Sequence, residues 1–267
     1  MILARRIGTE PLSLLFAALG GVLLLFIIAP LVSLSLSCSL PELAETAGDA
    51  EVRNSIWLTL WTSMAATLLF GIAAIPLAYL LARNDFPLKG LVSGIIDVPI
   101  VIPHSAAGIA LLTVVSRGAL LGKAADKAGF SFVGSNIGIM LAMAFVSVPF
   151  LVNSARDGFH AVPERLEKAA LNLGASPLRV FLTVSVPLAV RPIVSGIILM
   201  WARGMSEFGA VLIIAYHPMV TPVLIFERFS AFGLKYARPV AVLFMAVCLA
   251  FFVVLRLLAG SKKNAQR

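Results

Sequence analysis

The stretch ERLEKAALNLGASPLRVF, residues 164–181, decides how this chain is read. It carries charges of both signs between runs that water would reject. Leu166, Ala169, Ala170 and Leu173 recur at three- and four-residue steps and share one helical face. Glu164 and Lys168 stand four apart, in the favourable order for a helical pair. Pro163 suits a first helical turn, and Gly174 sits where a helix stops in the left-handed conformation. Ser176 followed by Pro177 has the form of an N-cap opening a new helix, which ends near Pro187. The spacing therefore predicts two short helices meeting at a small-residue elbow. Such a pair either lies on lipid headgroups or docks a protein partner. The glycine elbow favours docking, because small residues admit a close backbone approach.

The chain around this insert is oily. Of 267 residues, 60% are hydrophobic and only 13% charged, with a mean hydropathy of +1.01. A soluble domain is nearer half apolar and a quarter charged. The composition is that of a polytopic membrane protein. The net charge of +8 lies between apolar segments, where it sets orientation and gives no reason to expect nucleic acid. Cys38 and Cys248 fall in separate apolar stretches and read as small apolar fillers. No Ser-His-Asp set, paired carboxylates or metal-ligand cluster is evident, so neither catalytic residues nor a metal site is expected.

Six apolar runs are long enough to cross a bilayer, at about 13–37, 55–82, 92–115, 134–155, 192–216 and 239–258. Arg5 and Arg6 precede the first run, in the manner of a signal peptide. No charge occurs between Glu10 and Glu42, however, which exceeds an apolar signal region of about 7–15 residues. The first run is therefore expected to be a retained span with an arginine anchor. Six spans place both termini on one side. That side would hold Arg5, Arg6, Arg83, Lys89, Arg156, Arg165, Lys168, Arg179, Arg191, Arg256, Lys262, Lys263 and Arg267. The other would hold Arg53, Arg117, Lys123, Lys127, Arg228, Lys235 and Arg238. The excess of basic residues assigns the first side to the cytoplasm. The expected fold is all-α: one transmembrane domain over residues 1–267, six spans, both termini cytoplasmic, and a cytoplasmic loop over about 157–190.

The loop resembles the "EAA" segment of ABC importer permeases. That pattern is Glu-Ala-Ala, three residues, Gly, nine residues, Ile, one residue, Leu-Pro. Aligned on Gly174, this chain supplies Lys168-Ala169-Ala170, then Val184, then Val186-Pro187. Lysine replaces the glutamate at 168, removing a negative charge, and Glu167 stands one place earlier. The resemblance implies an importer permease fold with short coupling helices, paired as a dimer of two copies. It also implies that the loop sits in the clefts of two cytoplasmic ATPase subunits, through Glu164, Glu167, Lys168, Ala169, Ala170, Gly174, Ser176 and Pro177. A solute-binding protein, periplasmic or extracellular, would deliver the substrate. The chain has no G-x-x-x-x-G-K-[ST] phosphate loop. It is thus expected to be no enzyme and to hold no cofactor, with ATP and magnesium bound by the partner ATPase.

Two further stretches resemble the molybdate/tungstate and sulfate branch of these permeases: VPIVIPHSAAGIALL at 98–112 and WARGMSEFGAVLII at 201–214. In that branch the fifth span carries an Arg-x-x-x-Glu-Phe-Gly run, matched here by Arg203, Glu207, Phe208 and Gly209. The resemblance covers about 55–256 and is weaker over the first span. It implies a permease for molybdate or tungstate in the cell membrane, with sulfate or thiosulfate as the alternative cargo. A secondary anion carrier and a non-transporting scaffold are the rival classes. A carrier often shows inverted repeats, and none is evident. A scaffold needs neither a proline-broken third span nor a charged fifth.

A charge in mid-membrane costs about 2.5–3.5 kcal/mol on insertion scales. Arg203 and Glu207 stand four apart and can pair on one face. They either lock the fifth helix to its neighbours or, with Pro103, His104 and Phe208, line or gate the pathway. Pro99 and Pro103 are expected to bend the third span, and His104 to be a neutral packed or pore-facing imidazole. Glu207 offsets much of the arginine's attraction for an oxyanion, so selectivity is expected to reside largely in the binding protein.

Overall fold

The computed structural model describes residues 11–260, with side chains as far as Leu255. The basic residues Arg5, Arg6, Lys262, Lys263 and Arg267, and the side chain of Arg256, lie outside the described residues. Among the described residues the ordered elements are all helical. They are α1 (Pro11–Leu36), α2 (Leu40–Gly48), α3 (Ala50–Arg83), α4 (Lys89–Val101), α5 (His104–Val115), α6 (Leu120–Lys127) and α7 (Asn136–Ala161). Then come α8 (Glu164–Asn172), α9 (Pro177–Val180), a π turn (Phe181–Ser185), α10 (Val186–Leu188), α11 (Val190–Met205), α12 (Gly209–Ile214), α13 (Thr221–Phe232) and α14 (Leu234–Gly260).

α1, α3, α7 and α14 are each long and apolar enough to cross a membrane. Two bent pairs add to them: α4 with α5, turned by 115°, and the α9–α10 segment with α11, turned by 77°. Counting each pair as one crossing gives six. The bend between α4 and α5 falls at Pro103, which caps α5, while Pro99 lies inside α4. Neither proline has an N–H to continue the ladder.

α3, α7 and α11 form the centre of the bundle, and their contacts are made by small residues. Ala66, Ala74, Ala78, Ala142, Ala144 and Ala155 are all buried. A Cβ added at Gly196 of α11 would stand 2.9 Å from Ser154 Cβ of α7. Close backbone approach of this kind is how helices associate where lipid is as apolar as leucine. The hydroxyls buried on α3 are satisfied locally. Thr59, Ser63 and Thr67 donate to the carbonyls of Ser55, Thr59 and Ser63 at 2.7, 2.6 and 2.8 Å. α1 buries no residue and presents apolar side chains outward, as a lipid-facing helix does.

At one end of the bundle α13 returns towards the start of α3. Thr221 N–H donates to Thr59 Oγ1 at 2.8 Å, and Arg228 reaches Asp49 and Glu51 at 2.6 and 2.9 Å. The opposite end holds Arg83 and the α8–α10 insert.

Two local differences from the sequence expectation have physical causes. The run over 192–216 is not one helix. α11 ends at Met205, and α12 begins at Gly209 after a break that places Glu207 in the core. The second helix of the elbow does not run evenly to Pro187. Pro187 has no N–H to offer the Thr183 carbonyl, and the turn before it widens so that Val186 N–H bonds Phe181 O.

Candidate functional site

The insert has a bare tip and a fixed base. α8 begins after Pro163 and ends at Asn172; Gly174 then adopts φ +85°. Ala175 N–H bonds Ala170 O at 3.1 Å and Gly174 N–H bonds Leu171 O at 2.9 Å, closing the helix end. Ser176 Oγ accepts from Arg179 N–H at 3.4 Å and caps α9, with Pro177 in the first turn. Lys168 Nζ meets Glu164 Oε2 at 2.8 Å on the outer surface. The lysine donates to Glu164 and sits beside it, which holds the Glu164 carboxyl below its ordinary range.

The elbow is uncovered. Leu173 is 90% exposed and Leu178 67%. Glu164, Lys168, Ala169, Gly174, Ser176 and Pro177 share this exposed surface, and Ala170 is half-buried beside it. The tip is thus apolar and ringed by polar groups. Glu167 does not belong to that surface. It is 6% exposed and points into the bundle. Its Oε1 accepts from Arg83 Nη2 at 2.8 Å and from Ser185 Oγ at 2.7 Å. Arg83 Nε lies 3.0 Å from its Oε2, where the Tyr79 hydroxyl also donates at 3.4 Å.

The second cluster joins the two broken helices inside the bundle. Glu207 is fully buried. Its Oε2 lies 3.0 Å from Arg203 Nη2, at the end of α11, and 2.8 Å from His104 Nδ1, at the start of α5. Its Oε1 accepts from Ala210 N–H at 2.9 Å in the first turn of α12. Arg203 Nη2 also approaches His104 Nε2 at 2.8 Å, and Nη1 donates to Ser206 Oγ at 3.1 Å. A carboxylate oxygen only accepts, so Nδ1 donates to Glu207 and Nε2 is the ring atom that can accept from Arg203, whose Nη2 also stands 2.7 Å from Nδ1.

Glycine lets the two pieces meet. A Cβ at Gly209 would stand 2.8 Å from His104 Cβ, and one at Gly108 would stand 2.9 Å from Ala210 Cα. Phe208 packs on Phe226 of α13 at 5.1 Å between ring centroids, and Pro103 supplies the bend that turns His104 inward. The five residues singled out for a pathway or gate thus gather at one junction of α5, α11, α12 and α13. A further intramembrane carboxylate was not singled out: Asp97 of α4, which accepts from Asn153 Nδ2 of α7 at 2.7 Å. Its signal was present, as an acidic residue inside the third apolar run.

The model of the binding-protein-dependent transport system inner membrane component matches residues 74–261. The chain belongs to that family. As a family member it is a transport component of a multi-pass membrane system. It is 46% identical over 252 residues to the molybdate/tungstate transport system permease protein WtpB of Pyrococcus abyssi, covering 94% of this chain and 96% of that protein. It is 30% identical over 243 residues to the sulfate transport system permease protein CysT of Synechocystis sp., covering 88% and 85%. Among solved structures it is similar to a chain of a bacterial ABC transporter involved in the import of the acidic polysaccharide alginate. The TM-score is 0.73, with 94% and 96% of the chains covered at 15% sequence identity. That likeness is one of fold.

Proposed function

We propose that this chain is the membrane-spanning permease of an ATP-driven importer for molybdate or tungstate, working as a pair of identical copies. The α8–α10 insert faces the cytoplasm and docks into a separate ATPase subunit on each copy, which binds ATP and magnesium. A binding protein on the other face delivers the oxyanion. The carrying observation is the exposed, leucine-tipped elbow on an anchored base, in a chain that has no phosphate loop of its own. The cargo rests on the relative named for molybdate and tungstate, which is nearer than the one named for sulfate.

In this reading Pro103, His104, Arg203, Glu207 and Phe208 form the joint of the gate. Glu207 neutralises Arg203 within the network, so the pathway holds no strong anion trap. A conduit must release what it admits.

The test is uptake in proteoliposomes by the chain purified with its ATPase and binding protein. Molybdate and tungstate are expected to enter only with ATP and to compete with one another, with sulfate competing at least tenfold more weakly. Uptake driven by an ion gradient without ATP refutes the importer reading. Equal competition by sulfate refutes the cargo.

A further inference from the structure

Four segments converge on one buried carboxylate at the base of the insert. Glu167 comes from α8, Arg83 and Tyr79 from the last turns of α3, Ser185 from the π turn, and Val162 from the end of α7. Arg83 Nη2 donates both to Glu167 Oε1 at 2.8 Å and to the Val162 carbonyl at 2.9 Å. The guanidinium therefore ties α3 to α7 and to the insert at once. The Arg83 and Glu167 side chains are 10% and 8% exposed. A charge-assisted chelate in so dry a setting is short and directional. Two positions earlier in α3, Leu81 is also fully buried, so the arginine stands on a rigid element.

We infer that Arg83 is the positioning residue of the coupling step: by clasping Glu167 it makes α8 one rigid body with the end of α3, so that motion at the elbow moves α3. This rests on the importer reading, since it names the joint through which that reading's lever acts. Without the arginine, Glu167 would keep Ser185 of the π turn at 2.7 Å but would reach α3 only through the Tyr79 hydroxyl at 3.4 Å. A push on the tip would then be spent on turning α8.

Glu167→Gln, Arg83→Gln and the double variant are compared as full complexes in proteoliposomes, reading oxyanion taken up per ATP hydrolysed. Each single variant is expected to keep its ATPase through purification and to hydrolyse ATP, while uptake per ATP falls at least fivefold. The double variant is expected to lose no more than either single one, because partners in one clasp are not additive. A wild-type ratio in the single variants overturns the inference, as does a double loss equal to the product of the two. Loss of the ATPase from the single variants overturns it as well, since the clasp would then shape the docking surface and not the linkage.

A second measurement needs no variant. In the wild-type complex, amide hydrogen exchange of residues 164–172 and 80–83 is expected to change together between nucleotide-free and ATP-trapped states. Independent exchange of 164–172 overturns the inference. Uptake without ATP overturns the importer reading and this inference with it, whereas ATP-driven uptake at a wild-type ratio in the single variants overturns the clasp alone.

Discussion

Replacing Glu207 by glutamine changes one atom of a side chain that water does not reach. The shape is kept, and Oε1 can still accept from Ala210 N–H, so no cavity opens. What is lost is the counter-charge of Arg203, 3.0 Å away, together with the acceptor for His104 at 2.8 Å. An amide N–H₂ now faces guanidinium donors. Removing one partner of a buried pair costs about 3–5 kcal/mol. Arg203 keeps 21% of its side-chain exposure, so partial hydration places the cost near the lower end, about 3 kcal/mol. Against a total stability of about 5–15 kcal/mol that is a large share. For a chain of this size it corresponds to a melting point lower by on the order of 10 °C. The assay is thermal unfolding of the purified chain in detergent, beside the Arg203→Gln/Glu207→Gln pair. The double variant, left with no unpaired charge, should melt above Glu207→Gln. A Glu207→Gln variant within about 2 °C of wild type refutes the account of Arg203 as a buried charge that depends on Glu207.

Gly174→Asp is expected to remove the ATPase from the purified complex while the chain still inserts. The residue sits at φ +85° with open space around it, so the change strains the elbow and adds a side chain to the docking face without touching the core; unchanged co-purification counts against the docking role. Gly108→Ala forces a Cβ to within 2.9 Å of Ala210 Cα and should lower stability by about 1–3 kcal/mol, read from the same melting curves. Arg228→Gln releases α13 from Asp49 and Glu51, partly exposed partners, and should cost no more than about 1 kcal/mol. The hydrogen bond from Arg228 and its charge hold the Asp49 carboxyl below its ordinary 3.8. A depressed carboxyl stabilises above its unfolded value and loses that contribution as pH falls through the folded one. The cost of Arg228→Gln should therefore be equal at about pH 5 and pH 8 and shrink only below about pH 3.8; a cost that grows between pH 5 and pH 8 contradicts the pairing.

The elbow was legible because its signals are local. A glycine that must turn left-handed, a serine before a proline and a lysine four after a glutamate each act within a few residues. The pairing of Arg203 with Glu207 was legible for the same reason. Glu167 falls among the docking residues by the resemblance to the EAA segment, standing one place before Lys168. Its partner Arg83 is eighty-four positions away, and no local pattern carries that distance. The break after Met205 was hidden as well. Residues 201–214 read as helix by apolarity, while the break answers to Glu207 reaching His104 on α5 and Ala210 on α12. His104 likewise has no ligand or ion partner nearby in sequence; its two partners arrive only when both bent helices close on one point.

The π turn at Phe181–Ser185 fixes something that composition alone does not. A helix advances about 100° per residue. The extra residue in this turn therefore sets the angle at which everything before it faces. Trimming one residue there would let the segment wind regularly and would swing the Leu173–Leu178 tip by roughly a quarter of a revolution. Many substitutions between Phe181 and Ser185 could keep the lever pointing outward, but a change in their number could not.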